Sequence, residues 1–272
     1  MTINPFFQRL ALITGPEALG ALERTRVLVF GLGGVGSWCA EALVRSAVGA
    51  VDIVDSDSVC PTNVNRQVQA TSGNMGRLKA EALKERLLAI NPDCRVAAFA
   101  GVFSRESAPS FGIEDADYAI DAIDSLSNKL DLIEYAAGAG TALYSSMGMS
   151  QKLDPARIKT ADIWETRVCP LARRVRAGLR KRGFDGRFTV IYSDERLPLH
   201  PGVRASCGSA QCFCPPRNRG ESGAPVEWCA SKKVINGSAV TVTAAAGMIL
   251  AGLVVRDVCR RTAGALGAAS RG

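Results

Sequence analysis

The chain has 272 residues, 47% of them hydrophobic, with 33 basic and 26 acidic side chains and a net charge of +7. That apolar content supports a large buried core, which excludes a disordered chain and suits a single α/β unit with insertions. The positive excess only mildly favours a polyanionic partner. Nine irregularly spaced cysteines and a polar amino terminus read as reduced thiols in a cytoplasmic protein without a signal peptide.

In chain order, Phe6 to Leu10 precede a predicted short helix over 16–22, with Arg9 between them. Val27, Leu28, Val29 and Phe30 form an apolar run of the kind found in a parallel strand buried on both faces. Gly31, Gly33 and Gly36 then supply a G-x-G-x-x-G turn, which permits a tight bend and lets backbone N–H groups approach a phosphate. A helix over 37–46 points its positive end at that turn. A second strand, 51–54, ends at Asp55, at the spacing where an acid reaches a ribose hydroxyl.

Up to this point a dinucleotide-dependent dehydrogenase reads the same, and the residues after Asp55 distinguish the two. Asp57, Asn63, Asn65, Arg66 and Gln67 occupy the following loop, and Lys79 stands thirteen residues beyond Arg66. An arginine fork and a lysine point charge after the ribose acid suit a triphosphate better than a nicotinamide. Residues 118–125 read as a strand ending in Asp121, Asp124 and Ser125 at the sheet's carboxyl edge, where open α/β sheets bind ligands. An acid there suits Mg²⁺, which takes a carboxylate or two plus phosphate oxygens. Helices over 76–89 and 131–138 and strands over 96–99 and 142–146 complete an alternating pattern. The expected fold is a Rossmann-like, mostly parallel sheet covered by helices on both faces.

Gly-Leu-Gly-Gly-Val-Gly, Asp-x-Asp, Asn-x-x-Arg-Gln, the downstream lysine and Asp-x-x-Asp occur together in one order and spacing. In this the chain resembles the ThiF/MoeB/E1-like superfamily, which adenylates carboxyl groups with ATP. The resemblance implies that Gly34 lies by the nucleotide and that Asp55 binds ribose. It implies that Asn63, Arg66 and Lys79 contact phosphates and that Asp124 assists magnesium, with Asp57, Gln67 and Ser125 lining the same site. It also implies a homodimer in which Arg9 reaches the partner's ATP, stabilising charge in the transition state. A lone arginine is otherwise a solvated surface charge.

The second half narrows the resemblance. Asp154-Pro155-x-x-Ile158, Asp162, Pro170-Leu171, a helix over 171–183 and Tyr192-Ser193-Asp194-Glu195 follow in order. The helix carries Arg173, Arg174, Arg176, Arg180, Lys181 and Arg182 and no acid. This block is similar to the superfamily branch that dehydrates threonylcarbamoyladenosine in tRNA. The implied reaction is ATP-dependent activation of the threonyl carboxylate as an acyl-adenylate, followed by ring closure. Basic helical faces are usually just solvated, and a cluster of them in a nucleotide enzyme also suits an RNA backbone.

The segments divide as a nucleotide core at 24–150, a substrate- and tRNA-facing stretch with a cysteine-rich insertion at 151–236, and a buried helix at 237–262, all within one ThiF-type unit. Cys207, Cys212, Cys214 and Cys229 offer four thiols for zinc, but their spacing is irregular and the paired Cys-x-x-Cys sites of sulfur-carrier-activating relatives are absent. Cys229 is alternatively a catalytic thiol or an ordinary loop cysteine. His200, the single histidine, sits beside Pro201 in a predicted loop, so a Ser/His/Asp triad is not expected. Residues 239–255 are uncharged but short of membrane-spanning length, and read as a buried helix capped by Ser238 with a frayed tail from Arg260. The alternative function is adenylation of a ubiquitin-like sulfur carrier, which would bring a sulfur-transfer partner. A nicotinamide oxidoreductase lacks any Tyr-x-x-x-Lys pair here.

Overall fold

The structure, a computed structural model, describes residues 3–196 and 236–269. Among them, seven strands form one sheet in the order β3-β2-β1-β4-β5-β7-β6. These are β1 (Arg26–Phe30), β2 (Ala50–Val54), β3 (Ala98–Phe99), β4 (Tyr118–Asp121), β5 (Ala142–Ser146), β6 (Ile158–Asp162) and β7 (Thr189–Ser193). All neighbours are parallel except β6 and β7, which pair antiparallel.

Strand geometry sends alternate side chains of β1 to opposite faces. Val27 and Val29 join a core beneath α1 (Gln8–Thr14), α2 (Pro16–Arg24), α3 (Gly36–Arg45), α4 (Lys79–Ile90) and α7 (Val240–Ala269). Leu28 and Phe30 join a second core with Phe103, Phe111, α5 (Leu126–Ala139) and α6 (Pro170–Lys181). Both sheet faces are therefore covered, as the strand–helix alternation predicts. The chain leaves β1 toward β2 on one side and β4 on the other, so the sheet's topological switch point falls at the glycine turn.

Several boundaries differ from the sequence expectation for local reasons. Gly76 has φ +79°, so α4 starts at Lys79 instead of 76. Helix α5 starts at Leu126, earlier than 131, and β3 keeps only two of four expected residues. Helix α1 and strand β6 were not anticipated. The helix α7 runs to Ala269, so the expected fraying from Arg260 is not found. Its start also differs: the Ala239 carbonyl accepts the first helical N–H groups, while the Ser238 carbonyl accepts from Asn65.

By length and apolar character α7 meets the requirement for a membrane span, but it is packed within the protein. Val242, Ala246, Leu250 and Val254 are buried. A Cβ on Gly247 would lie 2.5 Å from the Val35 carbonyl oxygen, so only glycine lets α7 cross the start of α3 this closely. Near its end, Asp257 accepts from the Tyr118 hydroxyl at 2.8 Å and pairs with Arg260 and Arg261.

Candidate nucleotide site

The turn after β1 needs its glycines at particular atoms. Gly31 has φ +87°, and a Cβ there would meet the Ala122 carbonyl at 2.7 Å. At Gly36 a Cβ would lie 1.9 Å from the Gly31 carbonyl, and at Gly34 it would press on Thr243 and Arg66. A Cβ on Gly33 would meet nothing within 4 Å, so the turn is open on that side. Among the described residues the amides of Gly33, Gly34 and Val35 have no backbone acceptor. Unpaired N–H groups at the start of α3 form a cradle for an anion.

Asp55 closes the cradle from the end of β2. Its carboxylate accepts from the Leu32 amide at 2.7 Å and the Asp57 amide at 2.8 Å. Lys79 starts α4, with its side chain only 6% exposed, and its ammonium lies 2.7 Å from Asp57 and 3.8 Å from Asp55. Burial pushes the Asp55 carboxyl above the usual carboxylate range, against the pull of Lys79. Burial also disfavours the charged lysine, but the carboxylates of Asp55, Asp57 and Asp124 outweigh it and raise its pKa. Lys79 is thus a dehydrated positive charge held ready at the rim.

The loop between β2 and α4 brings Arg66 to the same place. Its guanidinium donates to the Thr62 carbonyl at 2.6 Å and to Asn65 Oδ1 at 3.2 Å. Burial lowers its pKa, opposed by Cys60 and by Asp124 across the rim. Asp124 is exposed and its field acts on both Arg66 and Lys79. Of the residues expected in the site, the structure therefore gathers Asp55, Asp57, Arg66, Lys79 and Asp124 around the glycine turn.

Three others occupy supporting positions. Asn63 is buried, and its Oδ1 accepts the Cys60 amide to hold the loop's first turn. Ser125 precedes α5 and donates to Asn128, which is tied to the Phe103 carbonyl. Gln67 is buried with its Oε1 unpartnered among the described residues. The open amide cradle with Arg66 and Lys79 fits a polyphosphate, and the carboxylate of Asp124 is the kind of oxygen ligand that a metal on it takes.

Arg9 lies apart from this cluster on α1, where it is exposed. Around it Phe6 (65% exposed), Leu12 (82%) and Ile13 (83%) leave an apolar surface uncovered. Cys207, Cys212, Cys214, Cys229 and His200 lie outside the described residues.

Sequence reasoning missed Lys129. It is wholly buried beneath the Asp121–Asp124 turn, donating to Asp121 Oδ2 at 2.6 Å and to the Ser146 carbonyl at 3.0 Å. Asp121 also accepts from Ser145 at 2.6 Å and from the Ile123 amide at 3.1 Å. The signal was present as an acid at a strand end with a lysine eight residues on, in the first turn of the next helix.

The basic helix divides in two. Arg176 donates to Thr166, Arg180 stacks 5.2 Å over Trp164, and Arg182 pairs with Asp131 and Glu134. Arg173, Arg174 and Lys181 have no side-chain partner among the described residues. The acids Asp194 and Glu195 are also structural: Asp194 pairs with Arg157 and Lys159, and Glu195 accepts the Leu153 and Asp154 amides.

The ThiF family model matches residues 7–264. The chain belongs to the ThiF family. The tRNA threonylcarbamoyladenosine dehydratase of Bacillus subtilis is 37% identical over 93% of this chain and 94% of its own length. The Escherichia coli enzyme of that name is 38% identical over 62% of this chain and 63% of its own length. The crystal structure of the E. coli dehydratase in complex with ATP superposes with a TM-score of 0.79 at 29% identity, covering 97% of this chain and 99% of that one. A complex of the same enzyme with AMP gives 0.78 at the same identity and coverage. A Thermus thermophilus sulfur carrier protein adenylyltransferase is 37% identical over only 41% of this chain.

Proposed function

We propose that this chain is an ATP-dependent dehydratase of threonylcarbamoyladenosine in tRNA. The observation that supports it most is the convergence of Lys79, Arg66 and Asp124 on an open glycine cradle, in a chain related over its length to dehydratases of that name.

A free carboxylate is a poor electrophile, and its oxygen attacks the α-phosphorus of ATP with pyrophosphate leaving. The resulting mixed anhydride has AMP as a good leaving group. A nucleophile within the substrate then closes the ring, the carbonyl carbon–oxygen bond to AMP breaks, and the net change is loss of water. In this reading the turn amides and Arg66 hold the phosphates, and Asp55 fixes the ribose. Lys79 meets the charge that develops in the transition state. Asp124 would hold Mg²⁺, which would supply positive charge against the phosphates. No protein nucleophile is required.

Arg173, Arg174 and Lys181 are the cations of α6 left for RNA phosphates, and each such contact would make tRNA affinity salt-dependent. The apolar surface around Arg9 suits a second copy of the chain, which would carry Arg9 to the partner's ATP. The reading places the protein in the cytoplasm with its tRNA. Adenylation of a sulfur carrier is the weaker alternative, because similarity to such an enzyme covers less than half of the chain.

The test is to incubate the protein with ATP, Mg²⁺ and tRNA bearing threonylcarbamoyladenosine, then digest and weigh the nucleosides. A water-sized mass loss that requires ATP is expected. The same loss without ATP, or adenylation of a sulfur carrier with no loss from tRNA, contradicts the proposal.

A further inference from the structure

Gln69 belongs to none of the motifs described above, yet it is 1% exposed and reaches the glycine turn. Its Nε2 donates to the Leu32 carbonyl at 2.9 Å, while the Leu32 amide donates to Asp55 at 2.7 Å. The two peptide groups flanking Leu32 are therefore both held, one by Asp55 and the other by the loop that carries Arg66. The same two segments are joined at two further points. Trp38 Nε1 donates to the Arg66 carbonyl at 3.0 Å, and Ser37 Oγ donates to Gly33 O at 2.7 Å and accepts from the Val68 amide at 3.3 Å.

Gln69 Oε1 is buried and unpaired among the described residues. Turning the amide over does not relieve this, because it would set Oε1 against the Leu32 carbonyl, acceptor to acceptor. A Met or Leu would avoid the orphaned Oε1 but would leave the Leu32 carbonyl without a donor, so the glutamine is kept for its hold on the turn. A polar group kept in a core at a cost to stability is explained by what its other end holds.

We propose that Gln69 is a positioning residue for the nucleotide. It fixes Leu32, whose amide binds Asp55, so that Asp55 faces the ribose, and it ties the glycine cradle to Arg66 as one rigid body. This deepens the proposed ATP-dependent reaction and rests on that reading of the site.

The test separates nucleotide binding from folding. Calorimetry with Mg²⁺ compares ATP and 2′-deoxy-ATP on the wild type, Gln69→Met and Gln69→Glu, alongside thermal melts. Gln69→Met removes the clamp and leaves the Leu32 carbonyl without its donor, so its Tm should fall by a few degrees. ATP affinity should fall about tenfold as the turn loses its fixed position. Its preference for ATP over 2′-deoxy-ATP should shrink in parallel. Gln69→Glu sets an acceptor against the Leu32 carbonyl and should lose more affinity than Gln69→Met. ATP binding by the wild type, with affinity and ribose preference unchanged in Gln69→Met, overturns this inference alone. Failure of the wild type to bind ATP overturns the nucleotide reading, and this inference with it.

Discussion

Lys129→Met removes the ammonium that pairs with Asp121 in a pocket where both side chains are fully buried. The lysine donates at 2.6 Å to Asp121, at 3.0 Å to the Ser146 carbonyl and at 3.3 Å to Ser145. Breaking such a pair from one side typically costs about 3–5 kcal/mol, because the remaining charge stays buried. Asp121 keeps the Ser145 hydroxyl and the Ile123 amide, which sets the expectation at the lower end, about 3 kcal/mol. At about 2–4 °C per kcal/mol for a chain of this size, the melting temperature should fall by about 6–12 °C. Urea titrations of the wild type, Lys129→Met, Asp121→Asn and the double variant complete a cycle. The double variant should recover more than half of the single-lysine loss, because no uncompensated carboxylate remains. A Lys129→Met loss under about 1 kcal/mol, or a double variant as unstable as the sum of its parts, refutes the reasoning.

Lys79→Met should lower kcat/KM for ATP by about a hundredfold, as removal of a charge aimed at the transition state does, read by AMP release. Mixing Lys79→Met with Arg9→Ala protein should restore activity that neither has alone, since mixed dimers hold one site with both residues intact. Absence of complementation, measured after subunit exchange, counts against Arg9 acting across a dimer. Below about pH 4 stability should decline through two depressed carboxyls. Glu41 is held low, despite burial, by Arg86 and Arg45; Asp257 is held low, despite burial, by Tyr118, Arg260 and Arg261. Their stabilisation is present above the unfolded pKa and is lost as pH falls through the folded values. Asp257→Asn should therefore flatten the acid limb of urea midpoints measured between pH 7 and pH 3.

The strand, glycine turn, helix and Asp55 were legible because each carries a local signature: an apolar run, steric need for glycine, and a fixed spacing. Arg66, Lys79 and Asp124 were legible as a set because they recur in motif order. The physical character of Lys79 was not, since its burial between two carboxylates depends on how α4 meets the loop after β2. Lys129 and Gln69 were passed over for a related reason, because a lysine or glutamine in a sequence defaults to the surface. Strand β6 escaped notice as a half-exposed edge strand whose partner, β7, lies almost thirty residues on. Helix α1 is under two turns and exposes Leu12 and Ile13, so it shows no apolar stripe to read. The length of α7 was underestimated because Arg256, Arg260 and Arg261 look like the start of a solvated tail. In the fold two of them pair with Asp257, and Arg261 lies over Tyr118.

The central claim is that a substrate carboxylate attacks the α-phosphorus of ATP. The most direct measurement supplies tRNA whose threonyl carboxylate carries heavy oxygen and analyses the nucleotide product by mass. AMP bearing one substrate oxygen, with pyrophosphate released, is the predicted result; ADP and phosphate, or AMP without the label, would contradict it.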